Sequence, residues 1–417
     1  MKKVIFGIVA GVLGVGCFCV YAGDYESRHF VIHSDLDGRY VKILQGSVES
    51  FYEKISAEYF SNGWDRPLDI YYSKSQGDTR KVLAGMGYKE EVYFGLYISE
   101  LKAIFAHRQM DDGGLSGVGT LYHEIIHRFV ELNYNKPPVW FNEGLATFFG
   151  EQTRCVSDKL TLGCANPWRE QVLRGMIENG QKIDIKYLAS LSESKFYEHR
   201  ENYHPTRALF YWIYDSGKLQ EYLKNVKKDG YGLEVLEKTV GKSCDQINSE
   251  LLGFIKNNCY PAAYYRDGLG AESLEAKKRF FQRALQIKPN YHPAQLELAR
   301  CFCMENDFEK GRAGLGQILD DPYSKEYFEA AKLRADICYA QKKYAEAVGY
   351  YEKAWECSAY DEYRYIVAFS IANCYQILGD RAKAKVWYGA FIDANWEPDR
   401  AVDEVRHAKN YLRLTLK

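Results

Sequence analysis

The segment His123-Glu124-Ile125-Ile126-His127 constrains this chain more than any other, because its chemistry requires a helix. Residues four apart on a helix lie one above the other on a single face, so the two imidazoles can grip one metal ion. Glu124 sits on the same surface, within reach of water at that ion. Pro137-Pro138 then breaks the chain, and Glu143 follows in Trp140-Phe141-Asn142-Glu143-Gly144-Leu145-Ala146. A second helix running antiparallel to the first lets Glu143 supply a third ligand. With three protein ligands a tetrahedral zinc keeps its fourth position for water, as catalytic zinc does and structural zinc does not. The spacing therefore assigns His123, His127 and Glu143 to Zn2+ and Glu124 to general-base work. A plain amphipathic helix with Leu121, Ile125, Ile126, Phe129 and Val130 as its core face explains the histidines' positions, but it leaves Glu143 without a role.

The N-terminus reads Lys2-Lys3, an apolar run from Val4 to Val20, then Val20-Tyr21-Ala22 before polar Gly23-Asp24. This pattern predicts a secretory signal peptide over residues 1–22, cleaved after Ala22, and export to a periplasm or beyond. Membrane association is expected only if that segment is retained or lipid-modified at Cys17. Without Lys2 and Lys3, 53 basic residues face 56 acidic ones in no conspicuous block, which argues against nucleic acid as a partner. Nine cysteines follow residue 22. In an oxidising compartment Cys155 with Cys164 and Cys244 with Cys259 are candidate local disulfides, and the five near the C-terminus read as buried thiols.

Residues 24–165 predict a mixed α/β unit. Strands are expected at 29–33 and 68–72, a long helix over 40–60, and a short helix near 79–86. A hairpin of 92–98 with 103–107 comes next, then a Gly-rich loop over 111–119. Residues 166–260 predict helices, opened by Asn166-Pro167 as cap and first helical residue, with another amphipathic helix from Tyr203. From about 262 to 417 a repeat of roughly 36 residues appears. Asn306-Asp307-Phe308 recurs as Lys342-Lys343-Tyr344 and as Gly379-Asp380-Arg381, and small residues fall at Ala284, Gly311, Ala347 and Ala384. This region resembles a tetratricopeptide (TPR) array of about three and a half units, closed by a helix over 401–414. The concave face of such a superhelix binds a protein partner.

On His123, Glu124, His127 and Glu143, residues 28–256 resemble the gluzincin metallopeptidases, in particular bacterial peptidase-MA-like domains joined to TPR repeats. The resemblance implies an α+β zincin-like domain, a mixed sheet packed on the active-site helices, followed by the all-α superhelix. It also implies an edge strand beside the zinc that binds extended peptide, for which Ala103–His107 is the candidate. A downstream tyrosine that stabilises the transition state matches Tyr203, with His204 as the alternative. Two departures stand out. No Gly-x-Met-Glu-Asn precedes the zinc helix, since Met110 is followed by Asp111-Asp112, and this argues for endopeptidase rather than aminopeptidase action. Thr147 stands where several gluzincins carry an acidic group, and it is expected to accept a hydrogen bond from a ligand imidazole. The chain is thus expected to be an exported zinc peptidase acting on peptide or protein substrates recruited by its repeats. The alternative is a catalytically weak or inactive zinc domain serving a protein-binding scaffold.

Overall fold

A computed structural model describes residues 23–414, apart from 90–91, 93, 110–116, 157–158, 164, 323, 325, 358–363 and 396–400. The expected signal peptide, most of the Gly-rich loop and Cys164 lie outside the described residues. The chain is mostly helical, with one mixed five-stranded sheet: an α+β unit followed by a helical region.

The α+β unit runs β1 (Gly23–Glu26), β2 (Phe30–Ser34), α1 (Gly38–Glu58), β3 (Leu68–Ser73), α2 (Gln76–Gly85), β4 (Gly95–Ile98), β5 (Ala103–His107), α3 (Val118–Asn133) and α4 (Val139–Gly150). The strands are ordered β1-β2-β3-β5-β4, parallel across β2, β3 and β5 and antiparallel at both margins. Ile32, Ile70 and Ile104 lie in register and, with Phe30 and Tyr72, form one buried face. Against that face pack Tyr40, Leu44, Val48, Phe51 and Ile55 of α1, one helical stripe. Opposite it, Ala103 and Phe105 meet Val82 and Leu83 of α2. Helix α3 lies beside α1, with Tyr122 donating to or accepting from Ser47 Oγ at 2.6 Å and stacking on Phe51.

This topology corrects one expectation. Ala103–His107 is an interior strand, paired with β3 on one side and β4 on the other, and the edge strand on that side is β4. The hairpin was legible in the sequence. Which of its arms pairs with β3 depends on long-range contacts, which no local pattern encodes.

A small hairpin, β6 (Arg154–Val156) and β7 (Lys159–Thr161), leads to α5 (Pro167–Glu178), α6 (Ile185–Ser190), α7 (Glu193–Glu198), α8 (Tyr203–Asp215), α9 (Leu219–Asp229), α10 (Leu233–Val240) and α11 (Cys244–Phe254). Asn166 caps α5 by accepting from the Arg169 amide, with Pro167 at the first helical position. Helix α11 continues without a break through a π-helical stretch, Ile255–Cys259, into α12 (Tyr260–Gly270). Pro261 has no N–H to donate and its ring crowds the preceding turn, which accounts for the widened register there. Cys244 and Cys259 are both buried free thiols, so the expected disulfide between them is absent. Fifteen residues of this helical run separate them, about 22 Å at 1.5 Å per residue. A disulfide needs Cα atoms within about 7 Å.

The rest of the chain is paired helices: α12 with α13 (Leu274–Ile287), α14 (His292–Met304) with α15 (Phe308–Gly314) and α16 (Gly316–Leu319), α17 (Tyr327–Ala340) with α18 (Tyr344–Cys357), and α19 (Arg364–Ile377) with α20 (Arg381–Ala394). Helix α21 (Val402–Leu414) follows. The three later turns share one geometry: Asn306, Lys342 and Gly379 take φ of 61°, 60° and 81°. The next amide in each, from Asp307, Lys343 and Asp380, bonds back to the carbonyl of Phe302, Cys338 or Tyr375. This is the left-handed helix stop that satisfies terminal carbonyls. Ala284, Gly311, Ala347 and Ala384 are all buried between helices. No helix among the described residues is long and apolar enough to cross a membrane.

Candidate metal centre

Helix α3 turns Leu121, Ile125, Ile126, Phe129 and Val130 into the core and leaves His123 and His127 half-buried on another face. Pro138, fixed at φ −65°, precedes the first residue of α4. Helix α4 then packs back across α3 at very short range. A Cβ on Gly150 would sit 2.5 Å from His123 N and 2.6 Å from its Cα, a space only glycine leaves open. The crossing brings Glu143 to the two imidazoles.

The three side chains converge. His123 Nε2 and His127 Nε2 are 3.1 Å apart, and Glu143 Oε2 lies 3.4 Å from the first and 3.8 Å from the second. All three ligand atoms fall within 4.8 Å of one another. Glu143 is almost fully buried; its Oε1 accepts a 2.6 Å hydrogen bond from the Tyr197 hydroxyl, while its Oε2 has no hydrogen-bond donor. A buried, orphaned carboxylate oxygen facing two imidazole nitrogens is costly unless a cation completes it. The donors fit a divalent metal ion, and two nitrogens with one oxygen is a set zinc accepts.

Electrostatics point the same way. Burial raises the Glu143 carboxyl, but the charges and hydrogen bonds of His127, His123 and Tyr197 outweigh it and hold the group at about 2. Burial lowers His123, yet the close approach of Glu143 and the charges of Glu124, Glu143 and Glu151 bring it above the ordinary histidine value. The pocket calls for positive charge.

His127 Nδ1 lies 3.0 Å from Asn142 Oδ1. An amide oxygen only accepts, so Nδ1 carries the proton and the Nε2 lone pair faces the site. Asn142 precedes Glu143 on α4, so one turn of helix supplies both a ligand and the group that orients another. Thr147 does not take that part. Its hydroxyl donates to the carbonyls of Glu143 (2.6 Å) and Gly144 (3.2 Å), because a hydroxyl inside a buried helix is satisfied most directly by the preceding turn.

Glu124 is buried, with Oε2 accepting from the Tyr97 backbone N–H at 2.9 Å. The edge strand β4 thus holds the carboxylate beside the metal-binding group. Gly95 of the same strand makes this possible, since a Cβ there would lie 2.4 Å from Thr120 Cγ2 and 3.0 Å from Glu124 Oε1. Lower on the same flank, Arg128 and Tyr97 both donate to Glu131, tying α3 to β4 a second time.

Tyr203 opens α8 with its ring edge-on to Phe196 and beneath the Arg169 guanidinium, 5.4 Å from its centre. Its ring centre lies 6.4 Å from that of Tyr197, whose hydroxyl holds Glu143, and burial and then the Glu143 charge, with Glu124 adding to it, hold its phenol well above the ordinary range. His204 is buried against Trp168, and burial with the charges of Arg169 and Arg207 lowers it to about 4. Consecutive helix residues point about 100° apart, so a helix that turns Tyr203 toward the metal group turns His204 away. Behind His123, Glu151 accepts from Asn166 and twice from Arg169, and buried Arg207 donates to Glu170 at 3.0 Å.

Sequence reasoning missed Tyr197, Tyr97, Gly95 and the role of Asn142. For Asn142 the helical spacing to His127's partner helix carried a usable signal. For Tyr197, one of 35 tyrosines and placed by a six-residue helix, there was none. No family model matches this chain, and no curated protein matches it either.

Proposed function

We propose that this protein is a zinc-dependent endopeptidase of the gluzincin type, exported by its N-terminal segment, whose C-terminal helices form a TPR array that recruits protein substrates or partners. The observation carrying the catalytic part is the convergence of His123 Nε2, His127 Nε2 and the orphaned Glu143 Oε2, with Glu124 pinned alongside. Zinc bound there would polarise a peptide carbonyl and lower the pKa of water from about 16 to about 7. Glu124 takes the proton of the attacking water on its carboxylate and passes it to the leaving amine nitrogen. Its hydrogen bond to Tyr97 keeps that carboxylate from drifting away between the two transfers. Tyr203 offers a hydroxyl donor where negative charge develops, and preorganised donors of this kind contribute on the order of 3 kcal/mol.

The edge strand supports an extended peptide as substrate. The Tyr97 N–H points away from β5 to Glu124, so the outer margin of β4 borders the metal group. A chain pairing along that margin presents successive carbonyls to it. The repeated turns at Asn306, Lys342 and Gly379 and the buried small residues support the TPR reading of the array.

The test compares metal content and peptide-library cleavage in wild type, Glu124→Gln and His127→Ala. Glu124→Gln is expected to keep one zinc and lose cleavage by about 10²–10⁴-fold, the usual worth of a general base. His127→Ala is expected to lose the metal as well. Unchanged cleavage by Glu124→Gln rules out this mechanism. Zinc bound without cleavage in any form leaves the array as a binding scaffold.

A further inference from the structure

Among the described residues Tyr197 donates a short hydrogen bond to the metal-binding carboxylate, and the manner of its delivery is specific. Its ring is 42 % exposed at the rim of the site, while its hydroxyl reaches the nearly buried Glu143 Oε1 at 2.6 Å. The residue before it, Phe196, is fully buried and anchors α7 in the core. Buried Asn202 donates to the Phe196 carbonyl at 3.1 Å and fixes the end of that helix, and Ser192 caps its start. The short helix is therefore held at both ends, and the phenol has a set position over Glu143.

A carboxylate beside a divalent cation can bind through one oxygen or through both. Short hydrogen bonds to a charged acceptor are among the strong ones, and this one occupies Oε1 alone. Glu143 Oε2 then lies 3.4 Å from His123 Nε2 and 3.8 Å from His127 Nε2, with no hydrogen bond of its own. We propose that Tyr197 is a positioning residue that restricts Glu143 to one-oxygen coordination, so that a metal held by His123, His127 and Glu143 retains a fourth place for water. The proposal rests on the metal-centre reading above and adds what sets the coordination number.

Cobalt(II) is the probe, because its visible absorption is stronger per ion in four-coordinate than in five-coordinate sites. The full-length chain, Tyr197→Phe and Tyr203→Phe are each titrated with cobalt(II), and zinc affinity is read by competition with a chromogenic chelator. Tyr197→Phe keeps the ring and its packing and removes only the hydroxyl. It is expected to bind one cobalt per chain with weaker absorption per ion, and to bind zinc about 10- to 100-fold less tightly, as loss of outer partners of metal ligands usually does. Tyr203→Phe is expected to leave both readings near wild type. In a Glu143→Ala background, Tyr197→Phe is expected to have no additional effect, which a merely structural role would not produce. Equal spectra and affinities for wild type and Tyr197→Phe overturn the proposal, as does an undiminished effect in the Glu143→Ala background. A wild-type chain that binds no cobalt fails the metal-centre reading itself, a result distinct from either.

Discussion

At the scale of single residues, His33 shows how far a side chain's neighbours exceed what its sequence position reveals. It sits on β2 with Nδ1 2.8 Å from Asp24 of β1 and Nε2 2.7 Å from Asp69 of β3, bridging three strands. Burial lowers its pKa, but the hydrogen bonds and charges of Asp69 and Asp24 outweigh this and the net shift is upward. A raised histidine contributes stability that is fully present below its unfolded pKa of about 6.5 and is lost as pH climbs through the folded value. His33→Gln is therefore expected to destabilise the fold more at pH 5.5 than at pH 8.5, as read from urea midpoints. A cost equal at both pH values would show that the imidazole is uncharged there. The same limit governs the candidate site. His123, His127 and Glu143 were legible because helical spacing alone stacks the first two and a proline break returns the third. Tyr197 and Tyr97 reach the site through strands and helices far away in sequence, and residue type gives no hint of that.

At the scale of elements, the α3–α4 crossing decides whether the ligands meet at all. Alanine is preferred over glycine in a helix by about 1 kcal/mol, so propensity alone favours Gly150→Ala. The new Cβ would press on the His123 backbone at 2.5–2.6 Å, and backbone cannot rotate aside as a side chain can. Overpacking of this kind typically costs 1–3 kcal/mol, which outweighs the propensity gain. Gly150→Ala is expected to lower unfolding stability by up to about 2 kcal/mol, the difference of those two terms, and to weaken metal binding by moving His123. A stabilised variant with unchanged metal affinity would mean the helices part freely. Most helices here were readable from apolar period, proline and caps such as Asn166, because those signals are local. The edge position of β4 was not readable, nor was the unbroken helical run that separates Cys244 from Cys259. Strand order and helix continuity depend on which surfaces meet, and sequence separation says little about that.

At the scale of the whole molecule, a buried ionic layer lies behind the metal centre. Arg207, 1 % exposed, donates to Glu170 and lies 3.7 Å from Glu151, which in turn sits behind His123. Burial raises the Glu170 carboxyl despite Arg207 beside it, so the pair is only partly compensated. Helix α12, continuous with α11 through the π-helical stretch, packs on α5 and on α13 alike, so no flexible linker separates the halves. Removing one partner of such a pair leaves a buried charge and typically costs 3–5 kcal/mol, whereas replacing both with apolar groups can be close to neutral. Arg207→Ala is expected to destabilise by about 3–5 kcal/mol in urea unfolding, and the Arg207→Met, Glu170→Leu double variant by much less. Equal losses would mean the two charges do not act as a pair. Read alone, the amino-acid order determined most of the helices, the repeat of about 36 residues and the three residues that form the metal-binding group. Those follow from periodicities of 3.6 and 2 and from proline and glycine, all set within a few residues. Only the folded chain decided that β4 forms a sheet margin, that Asn142 and Tyr197 meet the ligands, and that His204 packs against Trp168. These outcomes depend on which distant surfaces bury one another, and a one-dimensional pattern does not carry that information.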